Sequence, residues 1–292
     1  MKNQADTYIA SPQNTIAVLQ KHDFRFRKQL GQNFLVDLHV LDKILRAAEI
    51  GPEDICMEIG PGIGSLTQAM AEQAGRVIAV EIDERLMPIL QENLQAYPQV
   101  TLVRADFMEL DLPAFFREQK IDRPVRVVAN LPYYITTPLI MRLFESGVPL
   151  ASVTVMVQEE VARRMQAGPG SKEYGALSLA VQYYAEASIA AYVPPNCFIP
   201  RPGVGSAVIC LKRRTEPRVQ VRDPALMFRM IRAAFGQRRK TLVNSLTGSP
   251  ELAMTKEEAQ ALLEQAGLPP LIRGEALTLE QFAQLAELWT ER

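Results

Sequence analysis

Four consecutive residues, Asn130-Leu131-Pro132-Tyr133, carry the sharpest chemistry in the sequence. An exocyclic amine on an aromatic base is a poor nucleophile, because its lone pair is delocalised into the ring. The Asn130 side-chain oxygen and the Leu131 backbone carbonyl can accept its two hydrogens. Held that way, the nitrogen turns toward tetrahedral geometry and aims its lone pair at a methyl donor. Pro132 removes a competing backbone donor and stiffens the turn, and Tyr133 offers a face on which a base can stack. Such a site works by positioning and dipole alignment and needs no strong base. The two histidines, His22 and His39, stand in no context that suggests one. Read more plainly, the same four residues form a proline turn with a packing tyrosine. Phe198, in Cys197-Phe198-Ile199-Pro200-Arg201-Pro202, is either a loop anchor or a second ring able to cover the base from its other side.

A second motif, Glu58-Ile59-Gly60-Pro61-Gly62-Ile63-Gly64, joins a strand to a helix. Glycines there let the backbone turn tightly and approach a ligand. A dinucleotide loop of the form G-x-G-x-x-G would need a third glycine at position 65, where Ser65 stands. Glu58 is also a poor neighbour for a pyrophosphate. S-adenosylmethionine has no phosphate and carries a sulfonium and an ammonium, so a nearby carboxylate helps it. Glu81, with Ile82 beside it, ends the next strand and suits ribose hydroxyls. Asp106 and Phe107, after the third strand, suit an adenine amino group and ring. The expected cofactor set is therefore Gly60, Gly62, Glu81, Ile82, Asp106, Phe107 and Asn130, the alternative for the loop being a structural glycine turn.

These groups need a scaffold that brings strand ends together. Apolar β-branched runs at Ile55–Ile59, Val77–Ile82, Val100–Val103, Val125–Ala129 and Val153–Val157 alternate with helical patterns such as Leu38–Ala48 and Arg85–Leu94. That alternation predicts an α/β domain built on a mainly parallel sheet. A strand at Ala207–Leu211, with another near Ala187–Val193, predicts an antiparallel edge hairpin. After Lys212 the pattern turns helical, over Asp223–Phe235, Arg238–Leu246, Lys256–Gln265 and Thr278–Trp289, with Asp223, Thr255 and Thr278 as N-caps. The expected division is 1–212 as catalytic domain and 213–292 as a small all-helical domain.

The chain has 292 residues and a formal net charge of −1, which hides an asymmetry. Between Arg201 and Lys240 there are eleven Lys or Arg against Glu216 and Asp223 alone. A smaller basic cluster is Lys21, Arg25, Arg27 and Lys28, while the last stretch is acidic. Local basic patches on a near-neutral protein suggest a polyanionic partner, although charge runs are often solvated faces. Arg213, Arg214, Arg238, Arg239 and Lys240 are the candidates for gripping RNA phosphates. Three cysteines without a C-x-x-C pair, and no apolar start or long apolar run, lead us to expect a soluble cytoplasmic protein without a membrane partner or a metal.

Taken in order, Leu30-Gly31-Gln32-Asn33-Phe34-Leu35, the glycine loop, Asn130–Tyr133, Phe198–Pro202 and Arg238-Arg239-Lys240-Thr241-Leu242 resemble the ribosomal RNA adenine dimethyltransferases. The resemblance runs from about Phe26 to the end and is greatest to the small-subunit branch. It implies a Rossmann-like methyltransferase sheet and S-adenosylmethionine as methyl donor. The implied reaction is N6,N6-dimethylation of two adjacent adenines in a hairpin near the 3′ end of small-subunit RNA, met on an assembling subunit by an enzyme expected to be a monomer. It also implies that Asn33 and Leu35 lie against the cofactor. Three other readings compete: the antibiotic-resistance branch acting on large-subunit RNA, a non-enzymatic RNA-binding factor, and a dinucleotide oxidoreductase. Intact loop and tetrapeptide motifs disfavour the second, and Ser65 disfavours the third.

Overall fold

The computed structural model describes residues 8–27 and 31–290. Lys28, from the smaller basic cluster, and Leu30, which begins the first family motif, lie outside the described residues. The chain divides into two compact units, Met1–Ala162 with Ser188–Arg213, and Arg163–Ala187 with Arg214–Arg292. The expected boundary near residue 212 therefore misses an excursion. The stretch Arg163–Ala187 carries Tyr174, Leu179 and Tyr183 into the apolar core of the helical unit. Composition changes only after Lys212, so no local signal marks that detour.

In the first unit, α1 (Pro12–Lys21) starts at Ser11, whose side chain accepts from the Asn14 amide, and Leu19 buries its inner face. The short β1 (Phe34–Leu35) precedes α2 (Leu38–Ala48), capped by Asp37. Then come β2 (Ile55–Ile59), α3 (Ser65–Ala71), β3 (Arg76–Glu81), α4 (Met87–Asn93), β4 (Val100–Arg104), α5 (Leu112–Glu118), β5 (Val125–Asn130), α6 (Thr136–Glu145) and β6 (Leu150–Gln158). The chain continues through α7 (Glu159–Gln166), α8 (Ala176–Tyr184), β7 (Ala185–Val193), β8 (Phe198–Ile199) and β9 (Ser206–Arg213).

Seven strands form one sheet in the order β4-β3-β2-β5-β6-β9-β7. The pairs β4–β3, β3–β2, β2–β5 and β5–β6 are parallel, while β9 runs antiparallel to β6. This is the expected Rossmann-like arrangement, with β7 as the additional edge strand. Residues of β2, β3 and β5 are almost wholly buried, as continuous apolar runs require when helices cover both sheet faces. From β2 the chain moves outward through β3 and β4, then returns to add β5 on the other side. The order therefore reverses between β2 and β5, and ligands in open α/β sheets bind beyond the carboxyl ends at such a reversal. A separate two-stranded ribbon, β1 with β8, pairs Leu35 with Phe198 and Phe34 with Ile199.

The second unit adds α9 (Pro224–Gly236), α10 (Leu242–Thr247), α11 (Lys256–Gln265) and α12 (Leu279–Thr290). Asp223 caps α9 by accepting from the Leu226 amide at 2.8 Å, and Thr255 and Glu258 form a reciprocal capping box on α11. Thr278 accepts from the Gln281 amide at the head of α12. One expectation is corrected here. Arg238–Lys240 do not begin a helix; they form the turn before α10, which starts at Leu242 behind the N-cap Thr241. An N-cap threonine takes extended backbone and ends the preceding turn, so the basic triplet falls outside the helix.

Candidate active site

The glycine loop leaves the carboxyl end of β2 and enters α3. The Gly60 amide donates to the Val80 carbonyl at 2.9 Å, tying the loop to the end of β3. Gly60 and Gly62 have φ of +70° and +61°, a region that side chains rarely occupy. A Cβ on Gly62 would lie 2.8 Å from the Phe34 ring, whereas one on Gly60 would meet no atom within 4 Å. So Gly62 is needed for close packing, and Gly60 keeps space open.

That space is a cavity of about 280 Å³ in the first unit. It is lined by Gly60, Gly62, Glu81, Ile82, Asp106, Phe107 and Asn130, the set expected from the residues themselves, and by Asn33 and Leu35, which the family resemblance added. Leu131 and Pro132 line it too. Four adjacent strand ends place these groups: β2 the loop, β3 Glu81, β4 Asp106 and β5 Asn130.

Glu58 is 1% exposed and accepts from the Thr67 hydroxyl at 2.5 Å. Burial pushes its carboxyl up to about 8; the Thr67 bond opposes that rise and the Glu81 charge adds to it. The native state therefore holds a proton between about pH 4.5 and 8 that the unfolded chain has released. In the ligand-free protein this group makes stability fall as pH rises through that window. Glu58→Gln is expected to flatten the decline, and denaturant midpoints at both ends of the window for the two proteins check it.

Glu81, 4% exposed, is raised above the ordinary carboxylate range by burial. Its two oxygens accept from the Asp83 amide at 2.8 Å and the Gly62 amide at 3.2 Å. Each carboxylate oxygen can take a further hydrogen bond, so ribose hydroxyls still find acceptors. Asp106 Oδ1 accepts from the Met108 amide at 2.8 Å. Ser65, expected only as a missing glycine, lines the cavity with a buried hydroxyl that has no partner among the described residues. A buried orphan donor and buried carboxylates suit a cationic ligand with its own carboxylate and hydroxyls. The residues thus fit S-adenosylmethionine. Among the described residues no three His, Cys, Asp or Glu side chains gather as a metal-binding group.

Asn130 ends β5. Its Nδ2 donates to the Asn33 backbone carbonyl at 2.8 Å. A carbonyl can only accept, so this bond fixes which end of the amide is which and turns Oδ1 away, with no donor on it among the described residues. The turn after it is held by the Ile135 amide and the Thr136 hydroxyl, both donating to the Pro132 carbonyl at 3.2 Å. Tyr133 is half-buried, shares a 2.7 Å hydrogen bond with Ser206 on β9, and does not line the cavity.

Phe198 is not brought to the cavity. It is 2% exposed and packs with Leu35, Val40 and Cys197, because its pairing with Leu35 directs the ring into the core. Residues to which the sequence gave no role line the cavity instead, including Met108, Tyr134 and Gln32 of the Leu30–Leu35 motif. Gln32 ties its segment to the turn after β3 by donating to Asp83 Oδ2 at 3.0 Å. Periodicity carries no signal for such contacts between distant segments.

The basic candidates behave differently from one another. Arg213 is half-buried, with its guanidinium 5.4 Å from the Phe144 ring centre. Arg214 pairs with Glu186 at 2.9 Å. Arg238 pairs with Glu275 at 3.3 Å and donates to the Lys172 carbonyl at 2.9 Å. Arg239 and Lys240 are exposed and make no ion pair among the described residues.

Comparison with known proteins agrees with this geometry. The ribosomal RNA adenine dimethylase family model matches residues 23–291. The chain is 55% identical over 286 residues to ribosomal RNA small subunit methyltransferase A of Lachnoclostridium phytofermentans, covering 98% of this chain and 99% of that protein. It is 49% identical to the protein of that name from Alkaliphilus metalliredigens, covering 96% and 97%. Among solved structures, a dimethyladenosine transferase from Plasmodium falciparum superposes with a TM-score of 0.73 at 24% identity, over 88% of this chain and 97% of that one. The 23S rRNA methyltransferase ErmE superposes at 0.66 with 27% identity, over 87% and 98%. With both motifs intact at one cavity and the match running almost end to end, the chain belongs to the ribosomal RNA adenine dimethylase family.

Proposed function

We propose that the protein transfers methyl groups from S-adenosylmethionine to the amino groups of two adjacent adenines in small-subunit ribosomal RNA, acting as a monomer on an assembling subunit in the cytoplasm. One observation carries the chemistry: Asn130 is locked by its Nδ2 bond to Asn33 at the mouth of a cavity with buried carboxylates. When bound, the cofactor supplies an electrophilic methyl group. Glu81 would hold its ribose, and Asp106 with Phe107 would hold its adenine. Asn130 Oδ1 and the Leu131 carbonyl accept the two hydrogens of the target amine and localise its lone pair. One of those hydrogens leaves as a proton to solvent as the nitrogen–methyl bond forms and the donor's sulfur–methyl bond breaks, its electron pair staying on a neutral thioether. The Ser206 bond fixes the Tyr133 ring, which braces the turn that carries Asn130 and Leu131. Small-subunit rather than large-subunit RNA is favoured by near-50% identity across the whole chain to proteins named for the small subunit. Labelled methyl transfer to partly assembled small subunits and to naked large-subunit RNA, mapped by primer extension, tests the reading. Label confined to large-subunit RNA overturns it.

The RNA grip we assign to the exposed Arg239 and Lys240 rather than to the whole basic set. Arg214 and Arg238 are engaged with Glu186 and Glu275, and Arg213 lies on Phe144. Removing Arg239 and Lys240 together is expected to weaken RNA binding and reduce the salt slope by about 1.5–2. Cofactor affinity stays unchanged. Titrations at several salt concentrations check this, and an unaltered slope places the phosphate contacts elsewhere.

A further inference from the structure

Two tyrosines follow Pro132, and they are used in opposite ways. Tyr133 turns its hydroxyl inward to Ser206. Tyr134 lines the cavity yet is 64% exposed, and its hydroxyl has no partner among the described residues. A Cβ on Gly31 would lie 3.7 Å from Tyr134 Cδ1, so one ring edge rests near that loop while most of the ring meets solvent. The backbone beneath is fixed by the two bonds to the Pro132 carbonyl. A large, exposed ring on a fixed turn at the rim of an active site is a surface on which a base can stack.

The occupant follows from position. Tyr134 stands four residues beyond Asn130 on the same turn. It therefore flanks the place where the target amine is held. The cofactor's adenine has its own partners, Asp106 and Phe107, at the end of β4. A base drawn out of an RNA loop brings its chain neighbours with it, and these lose their stacking partners at the same moment. An aromatic ring restores that stacking for any base, since every base has a π-face. We propose that Tyr134 stacks the nucleotide adjacent to the adenine being methylated and so sets which adenine enters the site. In a substrate with two adjacent adenines, this holds one while the other reacts. The inference rests on the assignment of Asn130–Tyr133 to the target adenine.

The test uses the full-length enzyme and small-subunit particles assembled from ligated RNA. In some particles a single abasic nucleotide replaces the base on one side of a methylated adenine. With intact particles, Tyr134→Leu is expected to lower kcat/KM by about 5- to 100-fold, mostly through KM, while Tyr134→Phe keeps most activity. With particles lacking the stacked base, the wild-type enzyme loses a similar factor and Tyr134→Leu loses nothing further. The wild-type result on abasic particles holds whether or not the variant folds. An equal loss for Tyr134→Leu on every particle overturns the proposal, as does unchanged kcat/KM on intact particles. A fall in cofactor affinity that accounts for the loss also overturns it. Absence of methylation by the wild-type enzyme on intact particles would instead count against the assigned reaction.

Discussion

Asn130→Ala is expected to lower the single-turnover rate on saturating RNA by about 10²–10³-fold, with a smaller effect on RNA affinity. The magnitude is that of removing one preorganised dipole aimed at charge that develops during reaction. The acceptor matters most as the amine reorganises, so the loss falls on the chemical step. Asn130→Asp sharpens the point. A carboxylate cannot donate to the Asn33 carbonyl, so the 2.8 Å contact that sets the amide's orientation becomes a repulsion between two acceptors. That variant is expected to be impaired despite keeping an oxygen in place. Rapid-quench measurement of methyl transfer, beside an independent RNA titration, separates the two effects. A normal single-turnover rate in Asn130→Ala removes the residue from the chemical step.

Glu81→Ala is expected to weaken S-adenosylmethionine binding by about 1.5–3 kcal/mol, or roughly 10- to 150-fold. Ribose hydroxyls lose a charged acceptor. The Gly62 and Asp83 amides also lose the oxygens they bond at 3.2 and 2.8 Å, so the loop and the turn after β3 lose a shared anchor. Glu81→Gln keeps one acceptor and is expected to fall between the two. Calorimetry on the three proteins checks the order. Unchanged affinity in Glu81→Ala assigns the carboxylate a purely structural role.

Much of this was legible in the chain itself. Continuous β-branched runs alternating with helical patterns point to a parallel sheet covered on both faces, because helices in the crossovers bury both sides of such strands. Glycines after the first strand, acids after the second and third, and Asn130 after the fourth then fall on one rim by topology alone. That is why Gly60, Gly62, Glu81, Ile82, Asp106, Phe107 and Asn130 line one cavity; Asn33 and Leu35 line it too but were expected only from the family resemblance. The caps at Asp223, Thr255 and Thr278 were legible for a similar reason, since each is satisfied within four residues.

What the tertiary structure decided depends on partners distant in sequence. Arg163–Ala187 join the helical unit because Tyr174 and Leu179 pack there, and nothing in their own pattern says so. Phe198 lies in the core through its register with Leu35, whereas a loop phenylalanine read alone could face either way. The orientation of the Asn130 amide comes from the carbonyl of Asn33, 97 residues earlier. Adjacent tyrosines, equal in composition, take different roles because Ser206 on another strand captures one hydroxyl and nothing among the described residues captures the other. Local periodicity sets which elements form and where their ends lie, because burial and capping act over a few residues. Which side chain is held and which is left free is set by long-range packing, because its energy comes from atoms the local sequence does not contain.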